Sequence, residues 1–523
     1  MNSVLVEGCS RTQVVLPARA LLSLSIAVFA LFSALLLNVA GETLLRDPDT
    51  FWHIGVGRLI LQTHSLPWVD QLSHTFQGHP WMAKDWLSEI IFALMYEAGG
   101  WKGVVSIAIA AIALTFTLLF MELARQVRLT AALSMAIFAY VLSSIHFLAR
   151  PHLLSFPLLV LWFAGLVRAV ESRKSPNLLL LPLMTLWANL HGSFTLGLAV
   201  GCLLALEAVF ESGPEHRVRI LMHWAMFLAA AALAALITPY GYHSAYGTAQ
   251  IFGGNEALNY INEWRAFDFS KEIFGGPLII GLIFFGFLVG VKIRFMRLVI
   301  VTITFYLMLV YIRMVPIFAL LTPLMIASSL RAQFPLLSLE SQRHDPFLSK
   351  LLRLSRPRYA LIFSGLLIGP SLLTFSARTI SPHEAIYPVS AVDYIVRTDP
   401  SGRVYNDFSF GGYLIFRGVK TFIDGRSEHL FGGGFLSRTF DSPNKPNDEF
   451  LELLDEYKVS SALVRPESSQ ALKLDRTPAW QRKYADDVAL VYQRSARPRA
   501  ESPRSTIEHQ LNIRIRQDGN AEP

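Results

Sequence analysis

Residues 44–60 read LLRDPDTFWHIGVGRLI and place Asp47, Asp49 and His53 close together, directly after a long apolar run. A chain leaving a bilayer is anchored by aromatic or basic residues, not carboxylates, so a chemical role must be weighed. If Asp49 opens a short helix, it sits at the N-cap or in the first turn, where negative charge is favoured. His53, four residues on, then shares its face. Pro48 separates Asp47 from Asp49 and stiffens the approach. A carboxylate beside an imidazole can act as a general base, and the pair Asp47 and Asp49 can hold a divalent cation such as Mg or Mn. The same residues also suit a structural role, with Asp49 as a helix cap, Asp47 as a solvated loop charge and His53 as an interfacial side chain.

Further polar residues accompany them. The stretch HPWMAKDWLSE (79–89) carries His79, Trp81, Asp85, Trp86 and Glu89, with Asp85 and Glu89 one helical turn apart. Indole faces beside carboxylates suit a sugar, whose C–H faces stack while its hydroxyls donate to the acids. An interfacial aromatic belt would look the same. In WANLHGS (187–193), Asn189 and His191 end an apolar segment. Polar groups at membrane depth mark a cavity or pathway, or else bond helix to helix. Arg150, Arg265 and Arg313 form a third set, suited to forked bonds with phosphate oxygens or to snorkelling toward the interface. The segment NDFSFGGYLIFRGVKTFIDGRSEHLFGG (406–433) contains no triad or metal motif and reads as a structural element, or as a lid over the membrane site.

The elements that must position these residues follow from composition. Only 16% of the 523 residues are charged and 53% are hydrophobic, whereas about a quarter of a soluble protein is charged. Residues 20–40 carry no charge, about the length a helix needs to cross ~30 Å of hydrocarbon. The run is too long for a signal-peptide core and no small-residue cleavage site follows. Eleven spans are expected, at 20–40, 101–121, 130–148, 152–168, 177–190, 194–210, 220–238, 273–291, 297–312, 314–330 and 359–376. With the N-terminus in the cytoplasm, the cytoplasmic segments hold 18 Lys and Arg and the opposite loops before the last span hold eight. The net charge of +7 is thus explained by the positive-inside rule and contact with membrane lipids, not by a nucleic-acid partner. Cys9 and Cys202 make neither a disulfide framework nor a metal site.

This orientation sends the first loop, 41–100, outward, with short interfacial helices expected over 50–62 and 85–100, the latter ending in the pair Gly99-Gly100. Residues 1–376 form a transmembrane domain. Residues 377–493 alternate helical and strand-like patterns and predict a small extracytoplasmic α/β domain. The last thirty residues, 494–523, are polar and predict a disordered tail.

An uncleaved first span followed by a large outward loop opening with acidic residues resembles the GT-C superfamily of membrane glycosyltransferases. Protein O-mannosyltransferases, oligosaccharyltransferases and lipid A aminoarabinose transferases belong to it. The segments DPDTFWHIGVGRLI, PWMAKDWLSE, LWANLHGSFTLG, TPYGY and FGGYLIFRG…FIDGR also resemble a bacterial set grouped with these enzymes, which brings no assigned reaction. The resemblance implies a GT-C-like fold, a polyprenyl-phosphate-linked sugar donor, and Asp49 as the first-loop acid acting as base or metal ligand, with Asp47 its neighbour. Many relatives carry adjacent Asp-Glu where this chain has Asp-Pro-Asp. The oligosaccharyltransferase acceptor motif, beginning with two tryptophans and an aspartate, is absent, which argues against protein N-glycosylation.

The expectation is therefore a polytopic α-helical membrane protein of the bacterial inner membrane, transferring a sugar at its outer face to a lipid, glycan or protein acceptor. Asp49, Asp47 and His53 would be catalytic. Asp85, Glu89, Trp81, Trp86, His191, Asn189, Arg150, Arg265 and Arg313 would bind substrate. A non-catalytic assembly or sensor protein, or a lipid or polysaccharide transporter, are the alternatives; a transporter would place ionisable residues deep inside its spans.

Overall fold

The computed structural model describes residues 17–39, 41–251, 260–269, 275–338, 356–383, 385–427 and 429–495. The expected tail, 494–523, lies outside the described residues except for Arg494, which ends a strand, and Ser495.

Each expected span falls on an apolar helix. Seven helices are long and apolar enough to cross a membrane, among them α1 (Ala18–Val39), α3 (Trp86–Ala124), α4 (Leu129–Ser143, extended by a short turn to His146), α5 (Pro151–Glu171) and α8 (Arg217–Ala235). The segments around α6 (Leu180–Leu190), α7 (Phe194–Phe210), α10 (Gly275–Val289) and α11 (Phe295–Val310) are apolar but shorter. By length and composition, seven helices among the described residues are able to cross a membrane.

Helix α5 is buried around most of its circumference, with Leu159, Trp162, Phe163 and Leu166 inaccessible, as expected for a helix apolar on all sides. It packs on α3, α6, α7 and α12 (Val315–Gln333). Pro151 starts it, a position where the missing N–H costs nothing. Arg150, immediately before it, is thereby held at one end of the central helix.

Two helices form in the first loop where the sequence predicts them. The first, α2, runs Asp49–Thr63. The second is the opening part of α3, and it breaks at Gly99 and Gly100, where Gly100 takes φ +58° and ψ −146°. That conformation is open to glycine and closed to a residue with a Cβ. Helix α2 lies on α3 through Gly57, whose hydrogen faces the Glu89 carbonyl; a Cβ there would come within 2.8 Å of Ala93 Cβ.

The C-terminal domain is the expected small α/β module. Its sheet runs in the order β1 (Val404–Asn406), β2 (Ser461–Val464), β4 (Leu490–Arg494), β3 (Trp480–Ala485). The β1–β2 pair is parallel and the other two pairs are antiparallel. This domain is continuous with the first loop. Ser73 bridges to Thr421, His74 N–H donates to Thr421 O at 2.9 Å and Thr75 Oγ1 donates to Phe422 O at 2.7 Å. On the other side Phe51 of α2 sits edge-on to Tyr387 and Tyr413, at ring distances of 4.6 and 5.2 Å.

Candidate active site

The approach to α2 is zipped to the residues before α5. Ala149 N–H donates to Leu44 O at 2.8 Å, and Thr50 Oγ1 donates to Ala149 O at 3.0 Å. These bonds bring Arg150 over the DPD turn. Its Nε donates to Asp47 Oδ1 at 2.9 Å and its Nη2 also meets Asp47 Oδ1 at 2.7 Å. The same guanidinium pairs with Asp49 and, through Nη1, with Glu263. Three carboxylates thus converge on one cation. Asp49 is the first residue of α2, and the oxygen that caps its N–H is Asp47 Oδ1, at 2.8 Å. The capping role falls to Asp47, and the Asp49 side chain faces the site.

Three carboxylates cannot all be ionised beside a single guanidinium in a buried place without strong repulsion. Burial raises the Asp49 pKa to about 8 against the pull of Arg150, with Asp47 and Glu263 adding to the rise. Burial likewise raises Asp47. Glu263 is also desolvated, but Arg150, Arg313 and His146 outweigh that and hold it down at about 2.

The carboxylate against the His53 imidazole is Glu89, not Asp49: Glu89 Oε1 lies 3.2 Å from His53 Nδ1. Burial, then the charge of Arg150 and the neighbouring His191 and His152, push His53 well below its usual range, so the ring is neutral. His191 stands 6.3 Å from His152, ring to ring, and its Nδ1 accepts from Ser193 N–H at 3.2 Å. A group of imidazoles therefore adjoins the carboxylates.

A cationic group completes the site. Lys84 Nζ lies 3.0 Å from His429 Nδ1, and its side chain runs over Gly247 of α9 (Tyr242–Ile251). The Arg313 guanidinium stacks on the Trp264 ring at 4.4 Å. Adjacent residues Glu263 and Trp264 thus contact Arg150 and Arg313 respectively.

The FIDGR segment forms a wall of this site. The backbone of Gly425 lies on α2; a Cβ there would overlap the Asp49 carboxylate and stand 2.8 Å from Trp52 Nε1. Gly412 makes a similar approach to the Pro48 carbonyl. The turn is fixed by buried Arg426, which donates to Asp424 Oδ1 and Oδ2, both at 2.8 Å, and to Asp70 Oδ1 at 2.6 Å. Trp81 lies beneath that guanidinium at 4.8 Å. Burial works against the Asp70 charge, but Arg426 and Ser73 hold its pKa below the usual range.

Of the residues singled out in the sequence, Asp47, Asp49, Arg150, His53, Glu89, His191 and Arg313 come together. Trp86 Nε1 donates to Asn189 Oδ1 at 3.0 Å, and Asn189 Nδ2 donates to Ile237 O at 2.9 Å, so this pair ties α3 to α6 and to the end of α8. Trp81 is buried under Arg426. Asp85 precedes α3 and does not cap it. Arg265 is exposed, with its carbonyl accepting from Ile312 N–H at 3.0 Å. Glu263, His152, Lys84 and His429 stand in segments that read as polar, but only their positions in space distinguish them. Among the described residues no group of three or more His, Cys, Asp or Glu is arranged to hold a metal ion. At Asp47 and Asp49 the positive charge is supplied by Arg150.

No protein-family model and no curated protein matches the chain. Among solved structures it is similar to the Archaeoglobus fulgidus oligosaccharyltransferase in the apo form, with 12% identity and a TM-score of 0.52, over 84% of this chain and 69% of that one. It also aligns with ArnT from Cupriavidus metallidurans bound to undecaprenyl phosphate, with 13% identity and a TM-score of 0.48, over 92% and 99% of the two chains. The apo state of that ArnT aligns at 15% identity and a TM-score of 0.48, over 88% and 97%.

Proposed function

We propose that this chain, which has the GT-C fold of polytopic membrane glycosyltransferases, moves a sugar from a polyprenyl-phosphate-linked donor to a hydroxyl of a lipid, glycan or protein acceptor. On the orientation expected from the Lys and Arg distribution, the reaction would take place at the non-cytoplasmic face, in this reading the outer face of a bacterial inner membrane. The observation that carries the reading is the cluster of Asp47, Asp49 and Glu263 on Arg150, next to the cations Lys84 and Arg313.

On this reading Asp49 is the general base. Once ionised, it takes the proton of the acceptor hydroxyl as that oxygen bonds to the anomeric carbon of the donor. The bond from the same carbon to the phosphate oxygen breaks, and its electron pair leaves with the lipid phosphate. Attack opposite the leaving group inverts the anomeric centre. Negative charge grows on the phosphate through the transition state, where Lys84 and Arg313 would stabilise it most strongly. Neutral His53, held by Glu89, would orient the acceptor, with His191 and Asp85 positioning the sugar. Arg150 keeps the Asp49 carboxylate in place and offsets the charge of its neighbours.

The test is binding of polyprenyl phosphate to the purified protein in nanodiscs, comparing wild type with Arg313→Ala and Asp49→Asn. The expected result is saturable binding weakened at least tenfold by losing the arginine and retained by the asparagine variant. No binding by any of the three would overturn the proposal.

A further inference from the structure

At the opposite end of α5 from Arg150, ~30 Å along the helix axis at 1.5 Å per residue, a cavity opens between the ends of α5, α7 and α8. Its volume is about 340 Å³. Arg173, Lys174, His216, Arg219 and His223 line it, and Val170, Ala208, Ile220 and Trp224 form its apolar floor. The one carboxylate in the lining, Glu211, is engaged by Arg294 at 3.2 Å. Among the described residues Arg173, Lys174 and Arg219 have no ion-pair partner. Cations gathered around a cavity, though exposed here, favour an anion within it.

Two further observations point to what enters. Arg173 closes α5 with φ +53°, in a turn where Lys174 N–H donates back to Ala169 O at 3.0 Å. That position favours glycine, yet it holds Arg173, whose side chain lines the cavity. On the opposite face of α8, Val218, Leu221 and Met222 are exposed, an apolar surface that acyl chains can cover. Basic pockets between membrane helices take phosphate headgroups, with the acyl chains lying along the apolar outer surface of the helices.

We infer that this cavity is a binding site for a phosphate group carried by an anionic phospholipid, seated on Arg173, Lys174 and Arg219 on the membrane side away from Asp49. Each basic side chain contributes about fivefold to the affinity.

The full-length protein in detergent, titrated with short-chain phosphatidylglycerol, phosphatidylcholine or inorganic phosphate and read by native mass spectrometry, tests this. Phosphatidylglycerol is expected to bind saturably and phosphatidylcholine not to bind. Arg219→Ala should weaken phosphatidylglycerol binding, and Lys292→Ala, outside the cavity, should not. The decisive variant is Arg173→Gly, which relieves the backbone and removes the charge, and should raise the melting temperature while weakening binding. Equal phosphatidylglycerol binding by wild type, Arg173→Gly and Arg219→Ala would overturn the site. Inorganic phosphate binding as tightly as the phospholipid would overturn the lipid assignment.

Discussion

Gly425, in the C-terminal domain, lays its backbone against the carboxylate of Asp49, in the first loop, leaving no space for a side chain between them. The two residues are far apart in sequence, and what brings them together is a buried ion pair. Arg426 is gripped by Asp424 and by Asp70 of the first loop, so the turn carrying Gly425 is fixed on α2. The C-terminal domain is therefore a wall of the candidate site.

Gly425→Ala should lower transfer activity by about a hundredfold, the effect of displacing a reacting group by roughly an ångström. The added methyl must push Asp49 or Trp52 aside, and overpacking of this kind costs about 1–3 kcal/mol. Turnover and melting temperature measured together check this. Unchanged turnover would show that the contact with Asp49 has no catalytic consequence.

Arg426→Ala should destabilise the protein by about 3–5 kcal/mol, because it leaves two buried carboxylates without their cation. Arg426→Lys should recover only part of this, since a point charge cannot reproduce the two-pronged grip on Asp424. Thermal unfolding in a fixed detergent separates the variants.

The pH dependence follows from the Asp49 pKa of about 8. A base must be ionised to accept a proton, so the rate should rise with pH and level off above that value. Removing the negative charge of Glu263, which helps raise Asp49 and competes for Arg150, lowers the Asp49 pKa. Glu263→Gln should therefore move the rising limb toward lower pH, as read in a pH–rate profile. A limb that stays in place would remove Asp49 from the role of base.

Glu89→Gln should retain most activity, because an amide can still bond His53 Nδ1. Glu89→Ala should lose more, since an unpartnered buried nitrogen costs about 1–3 kcal/mol. Equal loss in both variants would mean that the carboxyl group acts in another way than as a hydrogen-bond partner of His53.

What the sequence determined by itself was whatever depends on composition and short spacing. Apolar runs of sufficient length specify helices such as α1 and α5 because hydrocarbon tolerates no unpaired backbone group. The Gly99-Gly100 break, the helix starting at Asp49 and the α/β character of the last domain were readable because local propensity and turn chemistry act between near neighbours. The DPD turn could be recognised as a candidate for the same reason. Tertiary structure decided the rest. Asp49 and His53 share a helix face, yet the imidazole bonds Glu89, because Gly57 lets α2 lie close against α3. Arg150 was readable as an arginine suited to phosphate, but the zipper from Leu44 to Thr50 aims it at three carboxylates. Nothing in NDFSFGGYLIFRGVKTFIDGR says which loop it covers. Buried charges must find partners wherever the fold offers them, and partners distant in sequence leave no periodic trace along the chain.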